Sequence, residues 1–212
     1  MILGESDSWL DQFRGYEERL LPRIELAMAP LISKLPANPG EDLITINLVG
    51  QLENDPVVRR LFEYVEYQFE PTRVDKKGIE VSLGKIDMAA HIIRNRKTYL
   101  AYECKRLNVP KGSSTSSLAT QYVKHGMLRF VTEQYSEGLP VGCMLGYVLD
   151  GNVAKAAIKV DAAISANSSL TNQVGLKRDL DKVSNIERFA TDHKRALTGT
   201  QIELRHSLVS CT

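Results

Sequence analysis

This sequence predicts an α+β, or mixed α/β, fold in which a central mixed sheet is flanked by helices. Three observations lead there. Trp9, Phe13, Tyr16, Leu20 and Ile24 recur at steps of three or four within Ser8 to Leu35, the spacing of one helix face. From Val65 the period becomes two: Val65, Tyr67 and Phe69 alternate with Glu66, Gln68 and Glu70, as in a half-exposed strand. Val141 to Leu149 is almost continuously apolar, the pattern of a strand covered on both faces.

The elements follow in order. The first helix is broken at Leu35 to Gly40, where Pro36, Pro39 and Gly40 remove donors and disfavour helical backbone. Glu41 to Leu52 resumes helical spacing through Ile44, Leu48 and Leu52, and Glu41 and Asp42 suit the positive end of its dipole. Pro56 opens a further short turn or helix to about Phe62. After the strand at Val65, Pro71 to Gly78 reads as a polar turn. Ile79, Val81 and Leu83 alternate again, in a strand expected to run through Ile86 to Ile93. Arg94 to Lys97 is a tight polar turn, and Thr98 to Leu107 a strongly apolar strand. Pro110 to Ser117, with Gly112 and its serines, reads as flexible. Leu118 to Tyr135 reads as one long helix, ended by Gly138 and Pro140. Asn152 is placed to cap an alanine-rich helix to about Ser165. Residues 166–185 carry no clear period, and short strands are expected at Ile186 to Thr191 and Gln201 to Val209.

Three consecutive strands with short connections make an antiparallel meander, and the helix after them can carry the chain to a parallel fourth strand. We therefore expect a single domain: a helical extension over residues 1–40, a core over 41–149, and a helix and strands added over 150–212.

Composition sets limits. The chain has 212 residues, enough to bury a core without covalent staples. Cys104, Cys143 and Cys211 have no metal-ligand spacing, and an odd number argues against a disulfide framework, so a reduced, cytoplasmic setting is expected. Met1 to Trp9 is acidic and no long apolar run follows, so neither a signal peptide nor contact with a membrane is expected. The net charge is only +1, too little to draw in a polyanion globally; binding to nucleic acid needs a local patch, a metal or a partner's surface.

Within this frame, Asp87 in Gly84-Lys85-Ile86-Asp87 and the pair Glu103 and Lys105 in Tyr102-Glu103-Cys104-Lys105 carry the chemistry. Phosphodiester hydrolysis needs a cation, an activated water and in-line positioning. Two carboxylates on adjacent strands can hold Mg²⁺, and a lysine two residues beyond one of them shares its sheet face. A hairpin centred on Asn95 makes paired residue numbers sum to 190, which sets Asp87 opposite Glu103. Glu-x-Lys and Asp-x-Lys are weak patterns: Asp75-Lys76-Lys77 and Asp192-His193-Lys194 also fit. What sets Glu103 and Lys105 apart is an apolar strand, where unpaired charge is costly. A structural ion pair with Asp87 explains the same burial, so both readings stand at this point.

On these residues and this strand order, the chain from Glu41 to Leu149 resembles the PD-(D/E)XK nucleases, a superfamily with a restriction-endonuclease-like core (αβββαβ). Ile86 stands where the motif's name has proline, a departure many members share. The resemblance implies an Mg²⁺-dependent endonuclease (Mn²⁺ substituting) with Asp87 and Glu103 as metal ligands and Lys105 at the attacking water. It also implies DNA as the favoured nucleic acid. Some members add a carboxylate from the first core helix, for which Glu41 is the candidate; a helix-start glutamate is also an ordinary dipole partner. Relatives of the RecB nuclease place Gln-x-x-x-Tyr on the helix after the lysine strand. Here Gln121 to His125 has that spacing with Tyr122 displaced, making Gln121, Lys124 and His125 phosphate candidates or simply a solvated face. Gly126 to Phe130 and Gly146 to Gly151 look like nuclease subunits of bacterial defence systems. His193 and Arg195 are further phosphate candidates, while His91 and His206 read as structural.

A small nuclease without a specificity module is toxic unless restrained, so a protein partner or a homo-oligomer is expected. Two alternatives remain: a catalytically silent nuclease-fold subunit for nucleic-acid binding or assembly, and an unrelated interaction protein.

Overall fold

Helix α1 (Ser6–Ile32) opens the described part of a computed structural model, which covers residues 6–92 and 96–212. Its apolar stripe buries Phe13, Leu20, Leu21, Ile24 and Met28, and this burial holds the helix through Pro22 and Pro30. Helix α2 (Glu41–Glu53) buries Ile44, Leu48 and Leu52, as the spacing predicts, and the short α3 (Val58–Leu61) follows.

The strands are β1 (Tyr64–Phe69), β2 (Thr72–Val74), β3 (Glu80–Ser82), β4 (Ile86–His91), β5 (Tyr99–Leu107), β6 (Val109–Lys111) and β7 (Ser114–Ser116). Helical segments α4 (Ala119–Tyr122) and α5 (Leu128–Val131) are joined by a π-helical turn, Val123–Met127. Then come β8 (Val141–Val148), α6 (Val153–Ala166), β9 (Gln173–Asp179), β10 (Glu187–Lys194) and β11 (Gln201–Ser210).

Seven strands form one mixed sheet in the order β1-β4-β5-β8-β11-β10-β9. The expected meander is β1-β4-β5, antiparallel throughout; β8 is parallel to β5 and β11 parallel to β8. Odd-numbered Tyr147 meets Thr45 of α2 with its hydroxyl at 3.1 Å, so this side of the sheet lies under α1 and α2. On the other side Gly142 and Gly146 leave room for Phe130 and Tyr122, which bring α4 and α5 down on the sheet. The architecture is therefore mixed α+β, with a central mixed sheet flanked by helices. Among the described residues no helix is long and apolar enough to cross a membrane.

Several boundaries differ from expectation. The strand expected from Ile79 to Ile93 is two, because Gly84 adopts φ +110° and turns the chain between β3 and β4. With β2, β3 forms a separate two-stranded hairpin inside what reads as a turn and a long strand. Pro110 to Ser117 is a second small hairpin, β6-β7, and not a loose stretch. The helix expected to reach Tyr135 ends at Val131. Residues 166–185 contain β9, whose burial alternates too weakly to read. The register of β4 on β5 is as expected: Met88↔Tyr102, Ala89↔Ala101 and His91↔Tyr99 all sum to 190. Arg94 and Asn95 of the expected turn, and Ile93 before it, lie outside the described residues.

Candidate active site

The β4-β5 ladder ends at Met88↔Tyr102, one pair short of Asp87 and Glu103. Beyond that point the Asp87 side chain replaces the backbone: its Oδ2 accepts the Cys104 N–H at 2.7 Å. The strand pair thus opens at the position where two carboxylates face each other. Glu103 is fully buried, while Asp87 keeps 18% and Lys105 13% of side-chain exposure, so solvent reaches the cluster's edge.

Lys105 Nζ sits at the centre. It lies 2.7 Å from Glu103 Oε1, 2.8 Å from Glu41 Oε1 and 3.7 Å from Asp87 Oδ2, and donates to the Cys104 carbonyl at 2.7 Å. The contact with Glu103 Oε1 is a close ion pair between two largely buried groups. Glu41 stands at the first turn of α2 but does not cap its own helix; its second oxygen accepts the Arg106 N–H at 3.0 Å. The structure therefore brings Glu41, Asp87, Glu103 and Lys105 together.

Burial, and after it the charge of Asp87, push the Glu103 carboxyl up to about 7 against the pull of Lys105 and Arg129. Burial also raises Asp87, with Lys105 the main opposing influence. For Lys105 burial disfavours the charge, yet Glu103, Asp87 and Glu41 together outweigh it and hold the amine above its ordinary value. The ammonium is the form this pocket keeps.

Two residues unmarked in the sequence complete the cluster. Arg129 Nη1 lies 3.3 Å from each Glu103 oxygen and bonds to the Tyr135 hydroxyl, which donates to the Lys85 carbonyl. No local pattern announces them, since their contacts cross from helix to sheet and depend on the π-helical turn. Gln121, Lys124 and His125 lie exposed along α4 and that turn. His193 and Arg195 do not join the site. Both are buried: His193 meets the Thr171 carbonyl at 2.8 Å, and Arg195 donates to the Ser136 and Leu139 carbonyls at 2.7 Å each. His91 and His206 are likewise fully buried.

The donor chemistry fits a hard divalent cation. Three carboxylates and a carbonyl already converge on one positive charge. Among the described residues no group of three or more His, Cys, Asp or Glu side chains is arranged to hold a metal as it stands. Lys105 Nζ lies at the point on which the three carboxylates converge.

No family model, no curated protein and no solved structure matches this chain.

Proposed function

We propose that the protein is a metal-dependent nuclease of the PD-(D/E)XK type, hydrolysing phosphodiester bonds, with DNA the favoured substrate. The observation that carries this reading is the convergence of Asp87, Glu103, Glu41 and Lys105 at a solvent-reached opening between β4 and β5. The order α2, β1, β4, β5, α4–α5, β8 supports a restriction-endonuclease-like core.

Asp87 and Glu103 would hold Mg²⁺ or Mn²⁺, with Glu41 as a third carboxylate; the bound ion supplies charge neutralisation and a more acidic water. Lys105 then has one of two tasks. As an ammonium it donates to the attacking water's oxygen and offsets charge growing on the phosphate; as a base it would first have to lose a proton that three carboxylates hold in place. The surroundings favour the first. Because the net charge of +1 provides little attraction for DNA, the reading includes a controlling protein partner or homo-oligomer, as in foreign-DNA defence.

A catalytically silent subunit of the same fold is the second reading, and one observation favours it: Lys105 already neutralises the carboxylates as a structural pair would. Calorimetric titration with Mn²⁺ separates the two. The nuclease reading expects saturable uptake by the wild type that is lost in Asp87→Ala with folding retained. Absence of uptake by the wild type would remove the metal from the account and leave the silent subunit.

A further inference from the structure

We infer that Arg129 is a further catalytic residue, whose guanidinium contacts the scissile phosphate. The inference rests on the nuclease reading and assigns a residue to which that reading gives no role. Its first support is where the hydrogen bonds leave the side chain. Arginine carries five N–H donors in a planar fork, yet both hydrogen bonds found for Arg129, to Glu103 Oε2 and to the Tyr135 hydroxyl, come from Nη1. The side chain is 36% exposed. One edge of the fork is thus fixed against the cluster while Nε and Nη2 keep donors for an incoming anion. The contrast with Arg205 and Arg188 is instructive: these are at most 3% exposed and are taken up by Glu17.

Its second support is charge. Glu41, Asp87 and Glu103 against Lys105 and Arg129 leave the ionised cluster at one negative charge. A divalent cation turns that into one positive charge, the complement of a single phosphodiester. Without Arg129 the loaded cluster is neutral and has no net attraction for the group it must bind.

The third support is the backbone. A π-helical turn, Val123–Met127, precedes α5 directly, and such turns within helices are frequent at functional sites. Gly126 within it lies flat on the site: a Cβ there would come 2.6 Å from Met144 Cε and 3.5 Å from Glu103 Cγ. This close approach lets the next turn of helix deliver Arg129 to Glu103. Tyr135, anchored on the Lys85 carbonyl two residues before Asp87, braces the guanidinium from the far side.

Arg129→Met and Arg129→Lys test the assignment beside wild type, with three readouts. These are Mn²⁺ affinity by calorimetry, affinity for a fluorescein-labelled DNA duplex in Ca²⁺ by anisotropy, and kcat with Mn²⁺. Contact with phosphate predicts that Arg129→Met loses roughly 10²–10³ in kcat and several-fold in duplex affinity, with Mn²⁺ affinity unchanged or tighter. Arg129→Lys should recover part of the affinity, since a point charge replaces the fork. Wild-type duplex affinity and kcat in Arg129→Met would overturn the inference alone. So would a loss confined to Mn²⁺ affinity, which marks Arg129 as a partner of Glu103 only. A wild type that takes up no Mn²⁺ and cuts no DNA overturns the parent reading, and this assignment with it.

Discussion

Glu103 lies where burial and a second carboxylate raise its pKa to about 7, and Lys105 is held charged by the same groups that Glu103 belongs to. Each residue therefore sets the other's state, and the pair cannot be altered one side at a time without consequence. Gly126 is the neighbour that allows this packing, and its substitution makes a test at the same scale. Gly126→Val places branched carbon against Met144, Glu103 and Lys105. We expect kcat to fall by at least tenfold while the fold is retained, with overpacking costing about 1–3 kcal/mol in urea melts. Unchanged kcat would show that the helix need not approach so closely. Asp87, Glu103 and Lys105 were legible in the sequence because charge inside an apolar strand stands out and a period of two fixes the shared face. Glu41 was legible only as one of two readings. Arg129 and Tyr135 were not legible, because a long-range contact between helix and sheet leaves no spacing in the chain.

At the scale of elements, the sheet is tied together by buried histidines. His91 of β4 stacks on Tyr64 of β1 at 4.2 Å between ring centroids and meets Phe69 and Tyr99 edge-on or tilted. Burial, followed by Arg96, lowers it to about 4, even though Glu66 lies 3.4 Å from Nε2. His206 and His193 of β11 and β10 are lowered as well, by burial first. They belong to a chain running from the Tyr122 hydroxyl through His206, Thr191 and His193 to the Thr171 carbonyl. Because that carbonyl only accepts, each proton's place follows: Tyr122 donates to His206 Nδ1, His206 Nε2 to Thr191, Thr191 to His193 Nε2. A histidine whose folded pKa is depressed gives stability that is present above pH 6.5 and lost as pH falls toward the folded value. Glu103 works in the opposite sense, its raised carboxyl costing stability as pH rises to about 7. His91→Phe isolates the histidine. Between pH 7 and pH 5 the wild type should lose roughly 2 kcal/mol more than the variant in urea-derived stability; parallel pH profiles would show that His91 does not titrate on unfolding. The long elements were readable from periodicity, and the β4-β5 register from the turn. The β2-β3 and β6-β7 hairpins and β9 were not, since short exposed strands bury too little to imprint a pattern on the sequence.

At the scale of the molecule, α1 is fastened to the last strands by charge as well as by apolar burial. Glu17, 1% exposed, takes hydrogen bonds from Arg188 at 2.8 Å and Arg205 at 2.9 Å, while Glu203 pairs with Arg205, Arg14 and Arg178. The network joins the N-terminal helix to β10 and β11, so the additions at both ends of the chain brace the same side of the sheet. Glu17→Ala leaves two buried guanidinium groups without their shared partner and should cost roughly 3–5 kcal/mol, on the order of 10 °C in Tm. Glu18→Ala, at an exposed partner of Arg205, should cost about 1 kcal/mol or less. Equal effects of the two substitutions would mean that burial does not govern the network. None of this network was evident beforehand, because its members are far apart in sequence and alternate with ordinary surface charge. The central question is whether the Asp87, Glu103 and Lys105 cluster on β4 and β5 performs hydrolysis. The most direct measurement is conversion of supercoiled plasmid with Mg²⁺ or Mn²⁺ by wild type, Glu103→Ala and Lys105→Ala, each checked for folding. Hydrolysis at this cluster predicts nicked or linear DNA with the wild type and none with either variant. Cleavage that persists undiminished in both variants would place the activity elsewhere and contradict it.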